Sequence, residues 1–130
     1  MIRLFLAFTS LLPLKTNHSF GSFIGYLLYL FNSEAKSVSK QNLEICFPGL
    51  SEFELKSLLK KVLTETGKGL TESGLIWNQN FTDNAKLIRN INGEHYLDSS
   101  KKTILLVPHM GCWEITGRVL ADKRKVTFMY

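Results

Sequence analysis

The sequence predicts an α/β fold, a set of N-terminal helices followed by the first βαβ unit of an incomplete parallel sheet. Three observations predict it. Residues 51–63 place leucines and a valine at helical spacing behind a helix-start signature. Thr103–Val107 (TILLV) is a short, β-branched, apolar run of the kind found in strands buried on both faces. A helix-like stretch, Cys112–Ala121, separates that run from a second one, Lys125–Tyr130 (KVTFMY). Strand, helix and strand in that order make a βαβ unit with a right-handed crossover and parallel strands.

The chain begins with two short apolar runs, residues 4–14 and 20–31, separated by the polar stretch Lys15-Thr16-Asn17-His18-Ser19. A membrane-spanning helix needs about 20 uninterrupted apolar residues, and shorter runs belong more often to interfacial or buried helices. One span drawn across the whole region would put Lys15 near the bilayer centre, which is costly. The reading is therefore an element of residues 1–31 that lies in the membrane interface or dips into it. A single span is the second reading. A signal peptide is the third; its basic start and apolar centre fit, but no small-x-small cleavage site follows. Gly21 and Gly25 form a small-x-x-x-small pair that would let two helices approach closely, or are simply tolerated in an apolar helix.

Residues 32–130 form the second unit. Residues 34–46 read as a moderately amphipathic helix, and Pro48-Gly49 marks a turn. Ser51 with Glu54 three positions on is a capping box. Behind it Leu55, Leu58, Leu59, Val62 and Leu63 form an apolar stripe, with Lys56, Lys60 and Lys61 off it. The pattern continues, loosened by Gly67, Gly69 and Gly74, through Leu70, Ser73 and Trp77. A turn at Asn80–Asp83, a short helix and a turn at Asn92-Gly93 lead to the first strand. Two parallel strands are too few for a sheet covered on both sides, and the second reaches the last residue. The sequence therefore reads as the front part of a longer protein.

The net charge of +5 and a pI near 9.3 favour an anionic neighbour. Before Glu34 the only formal charges are Arg3 and Lys15, and later basic residues alternate with acidic ones on helical segments. That distribution suits a membrane surface and argues against nucleic acid, which calls for Arg-rich or aromatic-interleaved basic patches. Cys46 and Cys112 are too few for a disulfide framework and lack paired zinc-type spacing. His95, His109, Cys112 and Glu114 are metal-ligating types without a metal-binding pattern, so no metal site is expected.

The chemistry concentrates at His109-Met110-Gly111-Cys112-Trp113-Glu114. In open parallel sheets ligands sit beyond the carboxyl ends of strands, where His109 falls. Glu114 comes five positions later, in the first turn of the next helix. A bend there would bring the carboxylate to one ring nitrogen, leaving the other to take a proton from a hydroxyl. Gly111 would permit a tight turn or close substrate approach. Free amides at the helix start would face an anion or a developing oxyanion. The structural alternative is a hydrogen-bonded histidine beside a glutamate placed by the helix dipole.

At these residues the sequence resembles the lipid A biosynthesis acyltransferase family, the lauroyl and myristoyl transferases of Gram-negative bacteria. Asn42-Leu43-Glu44-Ile45-Cys46-Phe47-Pro48 is similar to the family's N-L-x-x-C-F-P block, and Glu72 falls where the family has a glutamate. Ile104 to Glu114 resembles its strand and H-x-G-N-W-E signature, with Cys112 in place of the usual Asn. The resemblance implies a glycerolipid-acyltransferase-like α/β fold. It implies a fatty acyl thioester on acyl carrier protein as donor and a lipid A precursor as acceptor, at the cytoplasmic face of the inner membrane. It assigns His109 as general base and Glu114 as the residue that orients it, with no metal or organic cofactor. Two alternatives stand beside it: a catalytically silent membrane-associated fragment, and an acyltransferase acting on another glycolipid or phospholipid acceptor.

Overall fold

The computed structural model describes residues 1–96, 102–123, 125–127 and 129. Six α-helices and one 3-10 turn account for its regular structure. Helix α1 spans Ile2–Ser10, α2 Leu14–Leu30, α3 Glu34–Cys46, α4 Glu52–Asn78, α5 Phe81–Ala85 and α6 Glu114–Lys123, with the 3-10 turn at Glu94–Tyr96.

Helix α4 is the axis of the molecule; at 27 residues it runs about 40 Å. It starts where the capping signature requires. The Ser51 hydroxyl accepts from the Glu54 backbone N–H, and the Glu54 carboxylate accepts from the Ser51 backbone N–H at 2.9 Å. The Ser51 hydroxyl, which also lies 2.6 Å from the Glu54 carboxylate as a donor, and next the Ser51 backbone N–H, hold the Glu54 carboxyl below its ordinary range. The predicted stripe packs as expected: Leu59 and Leu63 join Leu43 of α3 in the core, with Leu55, Leu58, Val62 and Leu28 and Tyr29 of α2 around them. Helix α3 has the bounds expected of residues 34–46, capped by the Ser33 hydroxyl, which accepts from Lys36 N.

Further along α4 the buried face differs from the expected one. Leu70 and Trp77 are exposed, and burial passes instead through Gly67, Thr71, Gly74 and Leu75. Beyond Leu63 the face toward α1 and α2 carries small residues because those helices lie almost in contact with the α4 backbone. A Cβ on Gly67 would stand 2.1 Å from Gly21 O, and one on Gly25 would stand 2.2 Å from Leu63 O. Gly21 and Gly25 are thus the close-approach pair, set against α4. At the next level a Cβ on Gly74 would stand 2.0 Å from Thr9 Oγ1 of α1.

Lys15–Ser19 is not a linker between apolar runs. The break falls at Leu11–Pro13, and the polar stretch becomes the first turns of α2. Asn17 is fully buried there, donating to Thr9 O at 2.9 Å and Thr71 O at 3.1 Å, while the Thr71 hydroxyl lies between two acceptors, Lys68 O at 2.9 Å and Asn17 O at 3.2 Å. Among the described residues no helix is long and apolar enough to cross a membrane. The outward faces of α1 and α2 nevertheless carry exposed Ile2, Leu4, Phe8, Leu11 and Phe23.

The βαβ unit is not formed. Among the described residues there is no strand, so the expected α/β class with a parallel sheet is overturned. Residues 102–107 are irregular, with Ile104 89% and Leu106 92% exposed. A strand holds its shape through a ladder to a neighbour and through burial of its side chains; among the described residues no ladder forms, and the side chains of Ile104, Leu105 and Leu106 are exposed. Lys125–Thr127, from the second expected strand, are likewise irregular; Phe128 and Tyr130 lie outside the described residues. Only the intervening helix forms, two residues later than its expected start. The turn expected at Asn80–Asp83 is instead the start of α5, which Asn84 docks onto α4 by donating to Ile76 O at 3.1 Å.

Candidate active site

The turn from Pro108 to Trp113 carries the candidate residues onto the N-terminus of α6. Met110 N donates to Pro108 O at 2.8 Å, and Gly111 sits at φ +56°, a conformation that favours glycine. Ile115 N then donates to Cys112 O and Thr116 N to Trp113 O, so these two amides at the helix start are already engaged. Glu114 is the first residue of α6, where a carboxylate suits the helix dipole.

His109 and Glu114 share this turn, but no hydrogen bond or ion pair joins them. The exposed His109 ring lies against Trp113, with centroids 4.2 Å apart and planes inclined at 51°. The Glu114 carboxylate turns the other way, to α4. Its Oε2 accepts from the Ser73 hydroxyl at 2.9 Å, and its Oε1 accepts from the Trp77 indole Nε1 at 3.2 Å. Ser73 and Trp77 stand one helical turn apart on one side of α4. Arg118 adds a further tie between the helices, donating from Nη2 to Gln79 O at 3.1 Å.

One position before Ser73, Glu72 pairs through Oε1 with Nε2 of His18 from α2. It also lies beside Cys112. Although Cys112 is an exposed residue, burial of its sulfur, and next the Glu72 carboxylate, push its thiol up to about 12. The thiol is therefore neutral at physiological pH and unsuited to act as a nucleophile. Cys46, the other cysteine, is free on the surface of α3. His95 is exposed and stacks on Tyr96. Among the described residues no three His, Cys, Asp or Glu side chains assemble into a metal site.

Four residues of α2 and α4 thus gather around the turn, and of these the sequence singles out only Glu72 as a candidate, through the family resemblance. Ser73, Trp77, His18 and Glu72 come from 37 to 96 positions away in the chain. The i, i+4 spacing of Ser73 and Trp77 was the one local signal. It points to a shared helical side but does not say what that side meets.

The profile of the bacterial lipid A biosynthesis acyltransferase family matches residues 2–130. The chain belongs to that family. It is similar to the lipid A biosynthesis lauroyltransferase of Escherichia coli strain K12, at 33% identity over 98 residues, covering 74% of this chain and 32% of the relative. It is also similar to a lipid A biosynthesis acyltransferase of Haemophilus influenzae, at 26% identity over 107 residues, covering 79% of this chain and 33% of the relative. The chain therefore spans about a third of the length of these curated relatives. No solved structure gives a significant match.

Proposed function

We propose that this family member serves an acyltransferase that moves a fatty acyl group from an acyl carrier protein thioester to a hydroxyl of a lipid A precursor. The observation that carries the reading is membership of the lipid A acyltransferase family across residues 2–130, with His109 and Glu114 on the turn entering α6. His109 removes the proton as the acceptor oxygen attacks the thioester carbonyl carbon. The C–O bond forms, the C–S bond breaks, and the proton leaves with the thiol. Glu114 orients the imidazole and stabilises its cation.

The imidazole rests on Trp113 instead. Catalytic hydrogen bonds often close only once substrate is bound, and the exposed His109 ring is free to turn about its side-chain bonds. The apolar outer faces of α1 and α2 suit work at the cytoplasmic face of the inner membrane, where an amphiphilic acceptor would be met.

The test is made in the complete gene product, with a labelled acyl thioester and a lipid A precursor, and product read by mass spectrometry. His109→Ala and Glu114→Ala should each lower turnover by about a hundredfold or more while leaving the helical circular dichroism intact. Unchanged transfer in either variant overturns the assignment.

A further inference from the structure

Glu114 is the first residue of α6, yet both of its carboxylate oxygens are engaged by α4. A carboxylate held at one oxygen can swing about the remaining bond, whereas one held at both has its plane set. The donors are suited to this. The single Ser73 hydroxyl proton has two acceptors in reach, Glu114 Oε2 at 2.9 Å and Gly69 O of its own helix at 3.2 Å, and the carboxylate is the nearer. The Trp77 indole, which donates and cannot accept, reaches Oε1 at 3.2 Å. The two donors are also fixed in register. Between them in sequence Gly74 faces Thr9 of α1, so closely that a Cβ there would stand 2.0 Å from the Thr9 hydroxyl. Below them Gln79 donates from Nε2 to Ser10 O at 2.7 Å, and Arg118 of α6 donates to Gln79 O. Helices α1, α4 and α6 are thereby tied at one level, with Glu114 held by side chains of α4 and Arg118 by the backbone at its end.

We propose that Ser73 and Trp77 are positioning residues, two donors on α4 that set the plane and place of the Glu114 carboxylate, to which the His109 ring must turn from Trp113 for the two to work together. The proposal rests on the acyl-transfer reading above. It assigns no contact with substrate to either residue. Each acts through Glu114 alone, and that restriction makes the idea testable.

The experiment is a double-mutant cycle in the complete gene product, with the same labelled thioester and lipid A precursor. Ser73→Ala and Trp77→Phe should each lower kcat about tenfold with KM little changed, and Ser73→Thr, which restores a hydroxyl, should recover most of the loss. In a Glu114→Gln background, neither Ser73→Ala nor Trp77→Phe should lower the residual rate further, because the group they hold is already disabled. A merely structural role would lower the rate in both backgrounds, and that result overturns the proposal. So does wild-type kcat in the single variants. The indole N–H resonance of Trp77, resolved from Trp113 by the Trp77→Phe spectrum, supplies a readout independent of turnover. It should shift in Glu114→Gln and stay in place in His109→Ala; an indole signal indifferent to Glu114→Gln overturns the clamp even if activity changes. If the wild type transfers no acyl group while the indole behaves as expected, the reaction assignment fails, and the positioning role fails with it.

Discussion

Replacing Gly67 with alanine should separate α2 from α4, and the neighbouring Gly69 provides the internal control. At Gly67 an added Cβ would lie 2.1 Å from Gly21 O, 2.6 Å from Gly25 N and 2.9 Å from Gly25 Cα. All three are backbone atoms, so no side chain can swing aside. Non-bonded atoms settle at about 3.5 Å or more, so the helices must part by roughly 1.4 Å. That movement stretches the Asn17–Thr71 bonds, already at 3.1 and 3.2 Å. Overpacking of this kind costs about 1–3 kcal/mol, at times more, against a helix-propensity gain of about 1 kcal/mol for Gly→Ala. With a clash this severe, the net loss should be about 2 kcal/mol, a fall in Tm of roughly 8 °C for a chain of this size. A Cβ on Gly69 meets nothing within 4 Å. Gly69→Ala should therefore keep only the propensity gain and raise Tm by about 3–4 °C. Thermal unfolding followed by circular dichroism at 222 nm measures both. If Gly67→Ala raised Tm as Gly69→Ala does, the close helix contact inferred from Gly21, Gly25 and Gly67 would be refuted.

Two further outcomes follow from local chemistry. With its thiol pushed up to about 12 against an ordinary value of 9.0, Cys112 holds roughly a thousandfold less thiolate than an unperturbed cysteine at pH 8. Iodoacetamide at that pH should modify Cys46 first, with Cys112 slower by about a hundredfold or more by peptide mass mapping. Glu72→Gln, which removes the nearby charge, should speed Cys112, and equal rates for the two cysteines in the wild type would contradict the site geometry. Ser51→Ala removes the cap of α4 and should cost about 1 kcal/mol by urea denaturation. Because the Glu54 carboxyl is depressed in the folded chain, its part in the cap is present above the ordinary carboxylate range and fades as pH falls through the folded value. The Ser51→Ala difference should therefore shrink in acid, and a difference that grew in acid would argue against the reciprocal cap.

Local signals carried the helical half of the fold. Ser51 and Glu54 announce the start of α4 because capping involves residues three apart, and Leu55 to Leu63 show its core face because the helical repeat is a local property. The same reasoning failed beyond Leu63. Gly67 and Gly74 look like weak points when α4 is considered alone, and become its closest contacts once α1 and α2 are laid against it. Asn17 looks like part of a polar break for the same reason, since its partners Thr9 and Thr71 are supplied by other helices. Thr103–Val107 shows the limit from the other side: β-branched apolar residues favour a strand, but a strand requires a paired neighbour that composition cannot guarantee.

By itself the sequence determined the starts of α3 and α4, the stripe on α4 and the proximity of His109 to Glu114 along the chain, because each depends on residues within a turn or two of one another. Only the tertiary structure decided that Glu114 is gripped by Ser73 and Trp77, that Glu72 stands between His18 and Cys112, and that no strand of the expected sheet forms among the described residues. Those outcomes depend on which surfaces meet across tens of residues. A side chain's own chemistry states what it can donate or accept, and packing alone states to whom.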